Sequence, residues 1–133
     1  MATAATFRIS VVTPEREVLA TEATSVSLPA FDGELGVLAH RAPFLAKLGA
    51  GILRVADAAG AERRLFVAGG FAQMVDDRLT LLTEEASEPA ELDAAAATAA
   101  IGAAGELPNR TETEHARRQK ALDRARALRR SVR

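Results

Sequence analysis

The chain has 133 residues, no cysteine and five aromatic side chains, all phenylalanine. This length suits one domain, or a small domain with an appendage, and the lack of cysteine excludes disulfides and thiolate zinc sites. The net charge is −1, but residues 1–90 carry 8 basic and 12 acidic side chains, whereas residues 91–133 carry 9 and 6. This asymmetry predicts that the C-terminal part either meets an acidic partner or forms a solvated helical face.

The sequence offers no sign of a membrane-spanning or exported protein. No apolar run approaches the roughly 20 residues that a transmembrane helix needs. Residues 1–6 are small and polar, and they lack the charged start and apolar middle of a signal peptide. Together with the absence of cysteine, these features favour a cytosolic protein.

Short apolar runs separated by turn residues fill residues 7–86, a pattern typical of β-strands. The first run is Phe7–Val12. Two later pairs of runs flank Asp57–Gly60 and Asp76–Asp77, and each arrangement predicts a β-hairpin. Gly69–Gly70 predicts a bulge or a close crossing of two backbones. Several short strands at near-regular spacing predict an antiparallel sandwich or barrel.

One surface segment, Leu28–Leu38 followed by Ala42–Pro43, is unusually rich in turn signals. Asp32–Gly33 is a turn dipeptide, and glycine here and at Gly36 frees the backbone for positive φ or close approach. Glu34 is a lone acid between the two glycines. The segment holds no nucleophile–base pair and no metal-ligand set, so it predicts a binding surface. We expect Glu34 to contact a partner, the alternative being an ordinary solvated acid.

The pattern becomes helical at Ser87–Pro89, where proline is tolerated in the first turn of a helix. The run Leu92–Ala100 is almost all alanine, the best helix former. Gly102, Gly105 and Pro108 predict the end of this helix. Its alanine seam buries little area, whereas a fully buried leucine contributes about 1.5–3 kcal/mol. We therefore expect the helical part to detach more easily than the strand domain unfolds.

A second helix is predicted from about Glu112 toward Arg130, because Thr111 and Glu114 fit a capping box. One apolar stripe runs along it at i, i+4, i+7 and i+11, formed by Ala121, Ala125, Leu128 and Val132. The short connection between the helices predicts an αα-hairpin. The expected division is therefore a β domain over residues 1–87 and a mobile helical hairpin over residues 88–133.

Catalytic and metal-binding motifs are missing from the sequence. His40 and His115 lie far apart and belong to no metal-ligand pattern. The serines have no G-x-S-x-G context. Gly49–Gly51 lacks the further glycine or lysine of a phosphate-binding loop. A small enzyme is therefore the least favoured function.

The last 17 residues hold eight lysines or arginines against one acid, Asp123. Nucleic acid is a weak candidate partner, because no interleaved aromatics or groove-reading motif accompany the charge. Anionic lipid is also weak, because the apolar face is small. An acidic protein surface is favoured. A stand-alone β-sandwich adaptor, with a basic helical tail that binds nucleic acid or acidic protein, remains the alternative function.

Taken together, these residues resemble the epsilon subunit of bacterial F-type ATP synthases, the counterpart of the mitochondrial delta subunit. The likeness covers essentially the whole chain. The matching segments are Phe7–Glu15, Leu28–Leu38, Ala42–Pro43, Leu48–Leu53, Val67–Phe71 and Leu79–Leu82. The resemblance implies an α+β fold, in which an antiparallel β-sandwich of about ten strands precedes a two-helix hairpin. It also implies a non-catalytic central-stalk rotor subunit that couples c-ring rotation to the catalytic head and inhibits ATP hydrolysis through its C-terminal helices.

The resemblance further implies partners and contact residues. The β-sandwich would bind the gamma subunit and the c ring, and the implied c-ring contact residues are Asp32, Gly33, Glu34, Leu35 and Val37. The hairpin would reach the alpha and beta subunits, and the arginines implied in inhibition are Arg117, Arg118, Arg124, Arg126, Arg129 and Arg130. No nucleic acid is implied. The chain would be peripheral, held by its complex at the cytoplasmic side of the bacterial inner membrane.

The sequence departs from the family pattern in three places, one of which is Gln73 before Met74, where the family tends to have glutamate before valine. The family has a histidine two residues before Pro43, where this chain has Arg41, with His40 one position earlier and Ala39 in place of the usual proline. Some members bind ATP through [I/L]-D-x-x-R-A in the first helix, but Leu92–Ala97 lacks the arginine. No cofactor is therefore expected, and neither is regulatory ATP binding.

Overall fold

The computed structural model describes residues 5–132, and within them it contains nine strands and two α-helices. The strands are β1 (Phe7–Val12), β2 (Glu17–Ala30), β3 (Gly33–Leu38), β4 (Phe44–Lys47), β5 (Ala50–Asp57), β6 (Glu62–Ala68), β7 (Phe71–Val75), β8 (Arg78–Leu82) and β9 (Glu85–Ser87). A 3₁₀ turn at Pro89–Glu91 precedes α1 (Ala94–Gly105), and the second helix is α2 (Glu112–Ser131).

The strands form one hydrogen-bonded ladder in the order β4-β7-β8-β1-β2-β5-β6-β9, with β3 also paired to β2. Within the described residues every pair is antiparallel except β1 with β8. The long strand β2 pairs with β1 through its first half and with β3 and β5 through its second half, with a register shift between Ala23 and Ser25. The nine strands of the described residues agree with the expected number of about ten.

One hydrophobic core is shared by strands from opposite ends of the ladder. Ile9 of β1, Val37 of β3, Leu53 of β5 and Met74 of β7 are each at most 1% exposed and belong to one cluster. Strands so distant in the ladder share a core only if the sheet folds back on itself as two layers. The expected α+β class, a β-sandwich followed by two helices, is confirmed.

Both predicted hairpins are confirmed. Asp57 is buried, and its carboxylate accepts hydrogen bonds from the backbone N–H groups of Ala59 and Ala61, each at 3.0 Å, which closes the β5–β6 turn. Asp76 and Asp77 have φ of 50° and 58°, and they join β7 to β8 in the two-residue form that matches strand twist.

The first helix begins later than the sequence suggests, and it ends at Gly105, one of the three residues expected to end it. Pro89–Glu91 makes only a single 3₁₀ turn, and the expected start at Glu88 has no side-chain cap. Asp93 does cap α1, because its carboxylate accepts a hydrogen bond from Ala95 N–H at 2.9 Å. α1 also continues through Gly102, since one helical glycine costs only about 1 kcal/mol. The capping box at the start of α2 is confirmed.

The hairpin of α1 and α2 packs against the outer face of β5 and β6. A second apolar cluster joins Phe66 and Ala68 of β6 to Ala97 of α1 and to Ala127 and Leu128 of α2. Phe66 is fully buried beneath the helices. The contact is made mostly by small side chains on the helical side, so its apolar area is modest compared with the sandwich core.

Candidate functional site

The segment around Glu34 forms the closed end of a hairpin rather than an open loop. Ala30 and Gly33 are paired across the β2–β3 turn, which leaves Phe31 and Asp32 as the two turn residues. Gly33 has a φ of 137°, a conformation that side chains with a Cβ rarely adopt. Glu34 follows as an exposed residue of β3. We call Phe31–Glu34 the tip.

Strand alternation divides the five residues implied in c-ring contact. Asp32, Gly33 and Glu34 are exposed, but Val37 is 1% exposed within the sandwich core and Leu35 packs against the same core. Because successive side chains of a strand point to opposite sides, β3 cannot present all of its residues to one partner. The c-ring contact of these residues stays a prediction, in which Val37 can only support β3 from the core, whereas Leu35 keeps part of its side chain at the surface.

Phe31 is a surface residue that the sequence analysis did not single out. Its side chain is 71% exposed, and the Nζ atom of Lys47 lies 4.8 Å from the centre of its ring. The backbone N–H of Phe31 donates to the Lys47 carbonyl oxygen at 2.8 Å. The sequence did carry a signal for this residue: a large aromatic side chain stands directly before the turn dipeptide Asp32–Gly33. Turns lie at the surface and often carry binding residues, so an aromatic side chain there indicates a contact surface.

A second surface lies on the outer face of β4, β7 and β8. Four large apolar side chains there are at least 39% exposed: Leu45, Phe71, Val75 and Leu82. Phe71 is paired directly with Lys47 on one side and with Leu82 on the other, so this face adjoins the tip through Lys47. We call these four residues the apolar face. Contiguous exposed apolar side chains usually mark an interaction site.

The six candidate arginines of α2 differ in their surroundings. Arg124 donates from Nε and Nη2 to both oxygens of Glu85 at 2.6 and 2.7 Å, and this hydrogen bonding raises the pKa of its guanidinium against the effect of partial burial. Arg118 donates to the Gly105 carbonyl oxygen at 3.2 Å from Nη2. The other four are exposed: Arg117, Arg126, Arg129 and Arg130.

His40 and Arg41, where the chain departs from the family pattern, support the connection between β3 and β4. His40 has a φ of 64°; its backbone N–H donates to Asp77 at 2.6 Å, and its Nδ1 lies 3.0 Å from the second carboxylate oxygen. Arg41 donates to the Gly36 carbonyl oxygen at 3.0 Å. Over residues 5–132, no group of three histidine, cysteine or acidic side chains is placed to hold a metal ion.

Comparison with known proteins places the chain in a family. The model of the ATP synthase delta/epsilon chain β-sandwich domain matches residues 6–89. The chain belongs to this delta/epsilon family. It is 44% identical over 126 residues to the ATP synthase epsilon chain of Rhodopirellula baltica, covering 95% of this chain and 98% of that one. The epsilon chain of Syntrophomonas wolfei is 38% identical over 122 residues, covering 90% and 89%.

Solved structures with the same fold come from mitochondrial ATP synthases. A chain of the Euglena gracilis enzyme, in a structure of OSCP, F1 and the c-ring, has a TM-score of 0.81 at 22% identity, covering 98% of this chain and 84% of that one. A chain of the Tetrahymena thermophila central stalk and c-ring has a TM-score of 0.74 at 12% identity, covering 99% and 100%. At these identities the likeness concerns the fold.

Family membership makes this delta/epsilon chain a non-catalytic accessory subunit of ATP synthase. It confirms the resemblance drawn from the sequence and gives no support to the stand-alone adaptor. In the part of the chain that the structure describes, neither helix is long and apolar enough to cross a membrane.

Proposed function

We propose that this delta/epsilon chain is a rotor subunit of the central stalk, held between the c ring and the gamma subunit. The observation that carries the proposal is the continuity of two exposed surfaces. The tip and the apolar face meet at Lys47, whose ammonium lies over the Phe31 ring and whose backbone pairs with Phe71. A subunit that transmits rotation needs two partner surfaces on one rigid body, and this sandwich has them side by side.

The tip suits the polar loops of the c ring, as the resemblance implies. Asp32 and Glu34 offer exposed carboxylates, and Phe31 adds an exposed aromatic ring beside the Lys47 ammonium. The tip is held by the pairing of Ala30 with Gly33 and by the hydrogen bond from Phe31 N–H to the Lys47 carbonyl oxygen. Leu35 and Val37 position it from inside the sandwich.

The apolar face suits the gamma subunit. Interfaces that persist through many turnovers are more apolar than transient ones, and Leu45, Phe71, Val75 and Leu82 provide such a surface. The test is the substitution Leu82→Ser. Its control is Leu38→Ser, because Leu38 is similarly exposed on β3 but lies outside both surfaces. Leu82→Ser should weaken binding to purified gamma at least tenfold, whereas Leu38→Ser should leave it within twofold. If both substitutions weakened binding equally, the gamma subunit would have to bind another surface of the chain.

The hairpin is the inhibitory part of the proposal. It lies docked on the sandwich here, where Arg124 is paired with Glu85 of β9, while Arg118 donates to Gly105 within the hairpin itself. Contact of Arg124 with an acidic segment of beta therefore requires the hairpin to leave the sandwich, and the release would present all six arginines on a free helix. The chain would act as part of its complex at the cytoplasmic side of the bacterial inner membrane, with neither nucleic acid nor a cofactor as partner.

ATP hydrolysis by the purified synthase tests the inhibitory part. The chain has no cysteine, so Glu85→Cys with Arg124→Cys allows a flexible thiol cross-linker to hold the hairpin docked. Hydrolysis should rise after cross-linking and fall again when a cleavable linker is cut. A truncation after Ser87 should raise hydrolysis while coupling survives. Unchanged hydrolysis in both experiments would refute the inhibitory role. If the full, unaltered chain did not assemble with gamma and the c ring, the rotor role would be refuted.

A further inference from the structure

A basic cavity lies between the end of α2 and the outer face of the sandwich. Its volume is about 490 Å³, and its charged lining comes from four different elements. Arg54 and Arg64 enter from β5 and β6, Arg130 enters from α2, and Glu34 enters from β3. We call it the arginine cavity. Glu34 and Arg130 also belong to the proposed partner contacts, but Arg54 and Arg64 have no part in them.

Two of these arginines stand in an unfavourable arrangement. Arg54 and Arg64 are direct partners across the β5–β6 ladder, and like charges placed opposite each other destabilise a sheet. Neither makes an ion pair with any residue from 5 to 132. The Nε atom of Arg64 is buried and has no hydrogen-bond partner there. A buried donor without a partner calls for a ligand or an ordered water.

The balance of charge in the arginine cavity is positive. Three guanidinium groups face one carboxylate, that of Glu34, which makes no ion pair with them in the described residues. The carbonyl end of α2 contributes only about half a negative charge. The negative end of the helix dipole stabilises the nearby charge of Arg130. It does not offset the repulsion between Arg54 and Arg64 on the sheet.

The arginine cavity also has room for a ligand. Small residues line its base, among them Ala50, Gly51 and Ala127. A Cβ on Gly51 would lie 3.0 Å from the Pro29 side chain, so this position favours glycine. A water molecule takes about 30 Å³ in the liquid, and a tetrahedral oxyanion with several waters fits easily.

We propose that the arginine cavity binds a phosphate-type oxyanion. Guanidinium groups match such anions with paired N–H donors, and an anion between Arg54 and Arg64 would relieve their repulsion and satisfy the buried Nε. Because Arg130 belongs to α2 and the other two arginines belong to the sheet, the anion bridges the hairpin and the sandwich. A ligand that binds only the docked arrangement stabilises that arrangement.

Titration calorimetry on the full chain tests the binding, with inorganic pyrophosphate as the probe at constant ionic strength. We expect saturable binding that Arg64→Gln and Arg130→Gln each weaken about tenfold or more, as loss of a charged hydrogen bond predicts. The control, Arg78→Gln, lies on β8 away from the cavity and should change binding less than twofold. No saturable binding, or an equal loss in Arg78→Gln, overturns the proposal.

Two further measurements complete the test. Should Arg64→Gln fail to fold, Arg54→Gln takes its place, since Arg54 is exposed. Amide hydrogen exchange in α1 and α2 should slow at saturating pyrophosphate, and exchange in β7 and β8 should not. Unchanged exchange in the helices overturns the bridging role. Inorganic phosphate and glycerol phosphate, titrated separately, show whether free phosphate or a phosphomonoester is preferred, and binding of either supports the site.

Discussion

Arg124 of α2 holds the carboxylate of Glu85 on β9 through two hydrogen bonds of 2.6 and 2.7 Å. One helical turn earlier, Lys120 contacts both oxygens of Glu84 at 3.1 and 3.2 Å. These two pairs connect the helical hairpin to the strand domain at a point where the apolar contact is made of small side chains. The docked state of the hairpin therefore depends on these polar contacts as well as on the apolar cluster around Phe66.

Replacing Arg124 with glutamine should loosen the hairpin without unfolding the sandwich. Its side chain is 39% exposed and that of Glu85 is 32% exposed, so the pair should stabilise docking by about 1 kcal/mol, the upper range for surface pairs. Hydrogen exchange in α1 and α2 should quicken severalfold. The control, Arg126→Gln, removes an equal charge from the exposed side of the same helix. Similar exchange in the two variants would show that the pair contributes nothing specific.

A second change separates the hairpin contact from the sandwich core. Leu128 is the largest helical side chain in the cluster over Phe66, so Leu128→Ala should undock the hairpin while the melting temperature of the sandwich changes little. Leu53→Ala, by contrast, opens a cavity in the main core and should lower the free energy of unfolding by about 2–5 kcal/mol. Limited proteolysis reports on undocking, and thermal unfolding reports on the core. A global loss of stability in Leu128→Ala would show that the two parts unfold together.

Glycine at position 70 is fixed by a close crossing of two strands, the crossing that the Gly69–Gly70 pair predicted. A Cβ there would lie 1.9 Å from the Leu82 carbonyl oxygen, and its φ is 98°. Gly70→Ala should therefore lower the free energy of unfolding by more than about 2 kcal/mol. Gly102→Ala is the matched control, because that position is helical and open, and it should raise stability by about 0.5–1 kcal/mol. Chemical denaturation of both variants measures the difference.

The sequence predicted those turns and helix caps whose geometry depends only on residues close together in the chain. Asp76–Asp77 has its turn because two short polar residues tolerate positive φ, and Thr111 with Glu114 caps a helix through contacts three residues apart. The start of α1 was misplaced. The sequence placed it at Ser87–Pro89, but Pro89–Glu91 forms only a 3₁₀ turn, and the helix begins after Asp93, whose side chain caps it.

Long-range relationships could not be predicted in the same way. Val37 was expected at a surface, but its burial follows from the pairing of β3 with β2, which fixes the side of the strand that it occupies. The opposition of Arg54 and Arg64 likewise depends on the register of β5 and β6. The apolar face was not predicted either, because Leu45 and Leu82 belong to runs that are apolar on both sides, so alternation gave no sign of which side is exposed.

The tip provides the last prediction, which concerns attachment to the c ring. Phe31→Ala removes the exposed ring beside Lys47, and Glu34→Gln removes one carboxylate while keeping its shape. Neither side chain is part of the core, so both variants should fold with unchanged melting temperature and bind gamma normally. Retention of the variants on detergent-solubilised c ring should fall, and more so at high salt for Phe31→Ala, where the remaining contacts are charged and screened. Leu38→Ala, equally exposed but at the opposite end of β3, should be retained as the unaltered chain is. Full retention of Phe31→Ala and Glu34→Gln would mean that the c ring contacts another part of the sandwich.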